Sequence, residues 1–136
     1  MNCLRPSLLG RLFLLCVALA YGLKAQEMAG VWAQTNSASE NGTEMTVSDT
    51  LKLSADGVFR NASVMEMSMD DGSGQKATVK MLVSCSGKWS CEGGVLTQTY
   101  DAKSIRSEVL TLTSNTLKLK DIGVKNPETD TYTRVE

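Results

Sequence analysis

The feature that most constrains this sequence is a period-two alternation of apolar and polar residues, interrupted at short intervals by turn residues. Between Thr43 and Leu53, for example, Met45, Val47 and Leu51 alternate with polar side chains. A period of two gives a half-buried β-strand one apolar face, whereas an amphipathic helix needs a period of 3.6. Almost no stretch after residue 25 has the helical period, so the sequence predicts an all-β fold.

Turn sequences such as Asp56-Gly57 and Ser114-Asn115 divide the chain into eight runs. Strands joined by short turns favour an antiparallel up-and-down arrangement, and closing that sheet into a barrel removes its unpaired edges. Eight strands enclose an interior just wide enough for side chains or one small ligand. The predicted strands are Gly30–Gln34, Thr43–Leu53, Val58–Met69, Gln75–Cys91, Val95–Tyr100, Ser104–Thr113, Thr116–Lys120 and Asp130–Val135, with Thr35–Gly42 as a loop.

The first 25 residues have the three-part layout of a secretory signal peptide. Arg5 and Arg11 precede an apolar run, Leu12–Ala20, and Ala20 or Ala25 supplies a small residue for cleavage. A membrane-spanning helix needs about 20 apolar residues, twice the length of this run. We therefore expect a signal peptide over residues 1–25, one domain over residues 26–136, and a secreted or periplasmic protein without stable membrane insertion after cleavage.

Cys16 lies within this segment and would be the attachment point if the chain were a lipoprotein. Such a site requires small residues just before the cysteine, but Phe13-Leu14-Leu15 are bulky. The sequence therefore favours a cleaved signal over a lipid anchor.

The charge and composition exclude several classes of function. Cleavage after Ala25 removes three of the 14 basic residues and none of the 15 acidic ones, which leaves a net charge of −4. Nucleic acids and anionic membranes select basic surfaces, so we expect no nucleic-acid partner. The chain has no histidine, which excludes His-based catalysis and His-ligated metals. We expect no enzymatic activity, no cofactor and no metal site.

Two cysteines, Cys85 and Cys91, remain after cleavage in an oxidising compartment. In one extended strand they would lie about 20 Å apart, too far for a disulfide. Gly87 between them would either fold the chain back and permit the bond or only bend the strand, and the sequence leaves both open. Without the bond, we expect both thiols to be buried and inert.

Several short motifs resemble those of the lipocalin-like family of small secreted bacterial domains. Gly30-Val31-Trp32 opens the first strand, Leu51-Lys52-Leu53 leads into the hairpin Asp56-Gly57-Val58-Phe59, and Gly87-Lys88-Trp89 follows, before Leu-rich strands. The resemblance implies a small secreted barrel and a late arginine that packs on the tryptophan of the first strand. Here that pair is Trp32 with Arg134, and a guanidinium over an indole gains a cation–π contact that helps to close the barrel.

The first candidate ligand-binding residues are methionines of inward parity, which means that the alternation places them on the inner face of their strands. They are Met45, Met65, Met67, Met69 and Met81. Flexible thioether side chains either fill an irregular core or form an adaptable lining for an apolar ligand. Alternate-strand spacing alone produces the same pattern, so both interpretations remain open.

Polar residues of inward parity are the second group of candidates. Asp49 interrupts an apolar face in the second strand, and Gln98 lies between Leu96 and Tyr100. Arg106 has the same parity as Leu110 and Leu112, two later leucines of its strand that we expect to face the core. Since buried polar groups need partners, these residues either line a wet pocket or turn outward at bulges. In the first case Asp49 and Arg106 would orient a ligand.

The sequence therefore predicts a non-catalytic binding protein that holds a small apolar molecule, or a protein partner, at the barrel mouth. Two alternatives remain. One is a protease inhibitor that inserts its N-terminal segment, Gln26-Glu27-Met28-Ala29, into an enzyme cleft. The other is a structural envelope protein with a solid barrel.

Overall fold

A computed structural model describes residues 26–136, which form a closed antiparallel barrel of eight strands. Each strand pairs with the next, and the barrel closes where β8 meets β1 at Trp32↔Arg134 and Ala33↔Thr133. The predicted all-β up-and-down barrel is confirmed, while the predicted signal peptide lies outside the described residues. The strands are β1 Gly30–Glu40, β2 Thr43–Leu53, β3 Val58–Asp70, β4 Lys76–Glu92, β5 Val95–Tyr100, β6 Lys103–Leu112, β7 Thr116–Asp121 and β8 Thr129–Arg134.

The first hairpin is longer than the sequence predicted. Residues 35–40 continue β1 and pair with β2 as far as Glu40↔Thr43, so the predicted loop Thr35–Gly42 is wrong. Only Asn41 and Gly42 form the turn, both with positive φ (51° and 78°). The polar composition of residues 35–40 suggested a loop, but pairing with β2 holds them in the strand and leaves their side chains exposed.

The apolar core fills one end of the barrel. Its members are Met28, Trp32, Leu51, Leu53, Phe59, Trp89, Leu96, Leu117, Leu119 and Tyr132. Residues 26–28 form a helical turn that covers this end, and Met28 is fully buried. The Trp32 indole Nε1 donates a hydrogen bond to the Met28 carbonyl oxygen at 2.8 Å, which fixes the turn against the core.

The other end of the barrel is formed by β1 to β4 alone, because these strands are longer than β5 to β8. Strand β4 pairs with β5 only between Lys88 and Glu92. The register of β3 with β4 is unbroken from Val58↔Lys88 to Asp70↔Lys76. The first four strands therefore project beyond the closed barrel as a four-stranded sheet, which we call the extension.

A bulge in β6 changes which of its residues face inward. The register with β7 shifts between Val109 and Thr111, so residues on either side of the bulge have opposite parity. Ser107 is buried at 3% exposure, while Leu110 is 44% exposed. The expectation that Leu110 faces the core is therefore wrong.

Cys85 and Cys91 lie on the continuous strand β4 and are not joined by a disulfide. Gly87 therefore lies within a strand rather than at a reversal of the chain. A side chain at this position would overlap the Thr99 carbonyl oxygen and lie 2.9 Å from Phe59 Cε1. Both thiols are half-buried rather than fully buried, so the expectation of buried thiols is only partly correct.

Candidate functional site

A row of hydrogen-bonded polar side chains crosses the barrel interior at the base of the extension. Gln34 Nε2 donates to Asp49 Oδ2 and to Asp130 Oδ1, each at 3.1 Å. The Ser63 hydroxyl donates to Asp49 Oδ1. Gln34, Asp49 and Ser63 are cross-strand neighbours on β1, β2 and β3, so the strand register brings them together. We call Gln34, Asp49, Ser63 and Asp130 the polar row.

Beyond the polar row, the inner face of the extension is predominantly apolar. Met65 pairs with Val47 on one side and with Met81 on the other, and Met67 pairs with Met45 and Val79. Because the registers of β1 to β4 are unbroken, these residues lie on the same face of the sheet as Trp32 and Leu51, which belong to the apolar core. We call this surface the cup; its residues are Asn36, Ala38, Met45, Val47, Met65, Met67, Val79, Met81 and Val83.

The cup is not covered by other parts of the described chain. Met45, Met65 and Met67 are half-buried, while Met81 is 54% exposed and Val79 is 58% exposed. A recess of about 320 Å³ at the outer end is lined in part by Met45 and Met67. The alternative in which the methionines fill a solid core therefore does not fit their exposure, because the core lies at the other end of the barrel.

The candidate residues predicted from the sequence are only partly brought together. Met45, Met65, Met67 and Met81 share the cup, and Asp49 lies at its base. Arg106 does not join them, because it is exposed while its neighbour Ser107 is buried. The parity assigned to Arg106 came from the leucines beyond the bulge, so its predicted inward orientation is wrong.

Sequence reasoning missed Gln34, Ser63 and Asp130 of the polar row, and two further polar groups outside it. Asn61 is the cross-strand partner of Leu51 and Cys85, and its Oδ1 is buried with no hydrogen-bond partner within residues 26–136. Ser107 donates a hydrogen bond to Asp121 Oδ1 at 3.1 Å. Asn61 shares the inward alternation of Phe59 and Met65, which is the signal that identified Asp49, whereas the bulge in β6 hides the orientation of Ser107.

The hydroxyl of Tyr132 is buried beneath the acidic side of the polar row. Burial raises the pKa of this phenol well above its ordinary value of 10.0, and the carboxylates of Asp130, Asp49 and Asp121 raise it further. The phenol therefore stays neutral, and its oxygen lies in a region of negative potential. That potential favours a positive or hydrogen-bond-donating group at the base of the cup over a negative one.

The opposite end of the barrel is occupied by the chain itself. Arg134 donates from Nη1 to Ala29 O at 2.8 Å, from Nε to Ser114 O at 2.7 Å, and from Nη2 to Glu27 O. The bonds to Ala29 and Glu27 hold the segment before β1 against the barrel, so Gln26–Ala29 does not project as an inhibitory trunk would. A recess of about 510 Å³ lies beside it, lined by Glu27, Leu112, Thr113, Ser114 and Arg134.

The family assignment rests on comparison with known proteins as well as on this geometry. A family model described as a lipocalin-like domain matches residues 28–119, more than half of the chain. The chain belongs to the lipocalin-like domain family. A lipocalin-like barrel suggests small-molecule binding in general, and domains of this family are often secreted. Comparison with curated proteins and with solved structures gives no match.

Two further observations bound the chemistry of the described part of this lipocalin-like chain. Between residues 26 and 136, no helix is long and apolar enough to cross a membrane. In the same range, no group of three or more Cys, Asp or Glu side chains is arranged to hold a metal ion. The polar row can donate and accept hydrogen bonds, and the cup can bury apolar surface.

Proposed function

We propose that this lipocalin-like protein is a secreted or periplasmic, non-catalytic binding protein whose cup takes up a small, largely apolar molecule. The observation that carries the proposal is an apolar surface left exposed directly above a fixed polar row. Contiguous exposed apolar surface is typical of interaction sites, since it is costly to leave in water. The signal-like sequence of residues 1–25 supports export.

The side chains of the cup suit a ligand of variable shape. Methionine has three rotatable bonds and a polarisable sulfur, so a wall of Met45, Met65, Met67 and Met81 adapts to different apolar outlines. The 320 Å³ recess at the outer end lies at the lower end of the size range of small-molecule pockets, about 300–1,000 Å³. The proposed ligand therefore lies along the cup instead of being fully enclosed.

The polar row selects the chemistry of the buried end of this ligand. Asp49 and Asp130 already accept from Gln34, and the remaining lone pairs of their carboxylates are acceptors. A ligand group that donates hydrogen bonds, such as a hydroxyl or an ammonium group, satisfies these acceptors, whereas a carboxylate repels them. We therefore propose an apolar molecule with a donor group at one end.

The first test is native mass spectrometry of the protein purified from its own host. We expect a co-purifying small molecule whose mass is lost on denaturation. Titration with dodecylamine, dodecanol and dodecanoate then probes the polar end, because the three probes share one chain length. We expect the amine and the alcohol to bind more tightly than the carboxylate. Absence of any bound molecule, with no binding of the three probes, would contradict the proposal.

A pair of variants on one strand localises the binding. Met67→Glu places a carboxylate in the cup, and Val64→Glu places the same group on the outer face of β3, where Val64 pairs with Ser48 and Leu82. We expect Met67→Glu to weaken dodecanol binding at least about tenfold, which corresponds to about 1.4 kcal/mol. Val64→Glu should leave it unchanged. Equal effects of the two variants would place the binding site elsewhere.

A further inference from the structure

The outer half of β4 is an exposed sheet edge with no partner within the described chain. Strand β4 pairs with β3 over its whole length up to Lys88, but with β5 only from Lys88 onward. Residues 76–86 therefore have one unpaired side. Exposed edges of this length invite pairing with another strand, and proteins usually block them with charge, proline or a bulge.

The hydrogen bonds at the two ends of the β3–β4 ladder show which residues face that open side. Trp89 N donates to Gly57 O at 2.8 Å, and Asp71 N donates to Gln75 O at 3.1 Å. The register between these ends is unbroken, so the odd-numbered residues of β4 bond to β3. Since successive residues of a strand direct their backbone groups to opposite sides, the even-numbered residues from Lys76 to Ser86 direct N–H and C=O to the open edge.

Lysines normally protect such an edge, but the two lysines here form ion pairs with glutamates on other strands. Lys76 Nζ lies 3.5 Å from Glu44 Oε2, and Lys80 Nζ lies 3.5 Å from Glu66 Oε2. Both glutamates lie on the side of β4 away from the open edge, on β2 and β3. The edge itself presents apolar side chains, with Leu82 exposed at 68% and Val83 at 59%.

The sequence of this edge is complementary to itself when read antiparallel about Met81. In that register Met81 meets its own copy and Val79 meets Val83, all on the inner face. On the outer face Lys80 meets Leu82, and its aliphatic stem covers that side chain. If one copy of β4 were shifted by two residues in one direction, Lys80 of one copy would instead lie opposite Lys80 of the other. The same shift in the other direction would place Lys76 opposite Lys88, which already pairs with Thr99 of β5, so Lys76 would lose its partner.

We propose that a second copy of this chain is the partner of the β4 edge. The two edges pair antiparallel about a two-fold axis at Met81, and the two extensions form one continuous eight-stranded sheet. A two-fold contact of this kind is closed, so it yields a dimer and not a filament. The proposal concerns the edge of β4 and does not depend on what the cup binds.

Sedimentation equilibrium of the unmodified protein tests the dimer directly. We expect the mass of two chains, and the mass of one chain for Leu82→Pro. Proline at this position removes an edge donor without removing a hydrogen bond to β3. A single-chain mass for the unmodified protein at all concentrations would overturn the proposal and leave the edge to a peptide of another protein. Larger open-ended assemblies would also overturn it.

Two charge variants at one position test the register even if the proline variant fails to fold. In the proposed dimer, Leu82 of each copy faces Lys80 of the other copy. Leu82→Lys therefore places two positive charges opposite each other, whereas Leu82→Glu places opposite charges there. We expect the dissociation constant of Leu82→Lys to exceed that of Leu82→Glu by about tenfold. Equal weakening by both variants would indicate that Leu82 meets its own copy, which contradicts the proposed axis.

Disulfide trapping gives an independent readout of the same axis. Met81 and its copy form a pair without backbone hydrogen bonds, for which Cα atoms lie about 4.5 Å apart, within reach of a disulfide. We expect Met81→Cys to form a covalent dimer on mild oxidation. Val79→Cys alone should not, but it should cross-link when mixed with Val83→Cys. Cross-linking of Val79→Cys to itself as readily as Met81→Cys would overturn the register.

Discussion

The guanidinium carbon of Arg134 lies 4.2 Å from the centre of the Trp32 ring, and the two residues are also cross-strand partners where β8 meets β1. A cation above an indole face is attracted by the ring quadrupole. Gly30 makes room for this arrangement, since a Cβ there would overlap Arg134 Nη1 and lie 2.8 Å from Glu136 O. The residue pair thus joins the last strand to the first one.

Replacing Arg134 should destabilise the barrel more than replacing another arginine. Arg134→Ala removes the contact with Trp32 and the bonds to three carbonyl oxygens, and we expect a loss of about 2–4 kcal/mol in the free energy of unfolding. Arg60→Ala, on the exposed face of β3, is the matched control and should change stability by less than about 0.5 kcal/mol. Urea denaturation measures both, and equal losses would contradict the assigned role.

Gly87 should not tolerate a side chain, because the strands beside it are too close. The Cβ of Gly87→Ala would overlap the Thr99 carbonyl oxygen and press against Phe59, whose ring packs edge-to-face on Tyr100 at 6.5 Å. We expect a loss of about 3 kcal/mol or failure to fold, since a backbone atom cannot move aside cheaply. Thermal unfolding checks this against Ser86→Ala, an exposed neighbour that should behave like the unmodified protein. A stable Gly87→Ala protein would contradict the close packing.

The sequence predicted the strands well where alternation and turn residues agreed, as in β2 and β5, whose bounds match the prediction. The prediction failed where the alternation and the turn residues did not indicate the same strand. Apart from Ala38, residues 35–40 are polar on both faces, so alternation could not reveal them as part of β1. One inserted residue in β6 reversed the parity from which Arg106 was assigned, and only the ladder with β7 locates such a bulge.

The candidate site, like the strands, could be predicted from the sequence only in part. Inward parity identified the methionines of the cup and Asp49, because the β1–β4 registers contain no shift. Parity alone could not show that β5 to β8 stop short and leave the cup open. It also gave no indication that Met28 would cover the other end, since that depends on a hydrogen bond from Trp32.

Asp49 should hold the polar row together. Its carboxylate accepts from Gln34 and from Ser63, so Asp49→Ala leaves the half-buried Ser63 hydroxyl without this acceptor and Gln34 with only Asp130. We expect a loss of about 1–3 kcal/mol in the free energy of unfolding, together with weaker binding of dodecylamine. Glu128→Ala, which removes an exposed carboxylate from the loop before β8, serves as the control. Unchanged amine binding in Asp49→Ala would separate the polar row from the ligand site.

Tyr132 should make the barrel less stable in alkaline solution. Burial and nearby carboxylates raise its pKa in the folded protein, whereas the same phenol in the unfolded chain ionises near 10.0. Its proton is therefore held more tightly by the folded state, and the contribution to stability is complete below pH 10 and declines above it. The free energy of unfolding should fall by up to about 1.4 kcal/mol for each pH unit beyond 10 through this group.

The variant Tyr132→Phe isolates that contribution, because the other titrating groups are common to both proteins. Below pH 10 the difference in unfolding free energy between Tyr132→Phe and the unmodified chain should be constant. Above pH 10 it should shift in favour of the phenylalanine variant, as followed by urea denaturation at successive pH values. A difference that stays constant across this range would mean that the phenol ionises as easily in the folded barrel as in the unfolded chain, and that water reaches its oxygen.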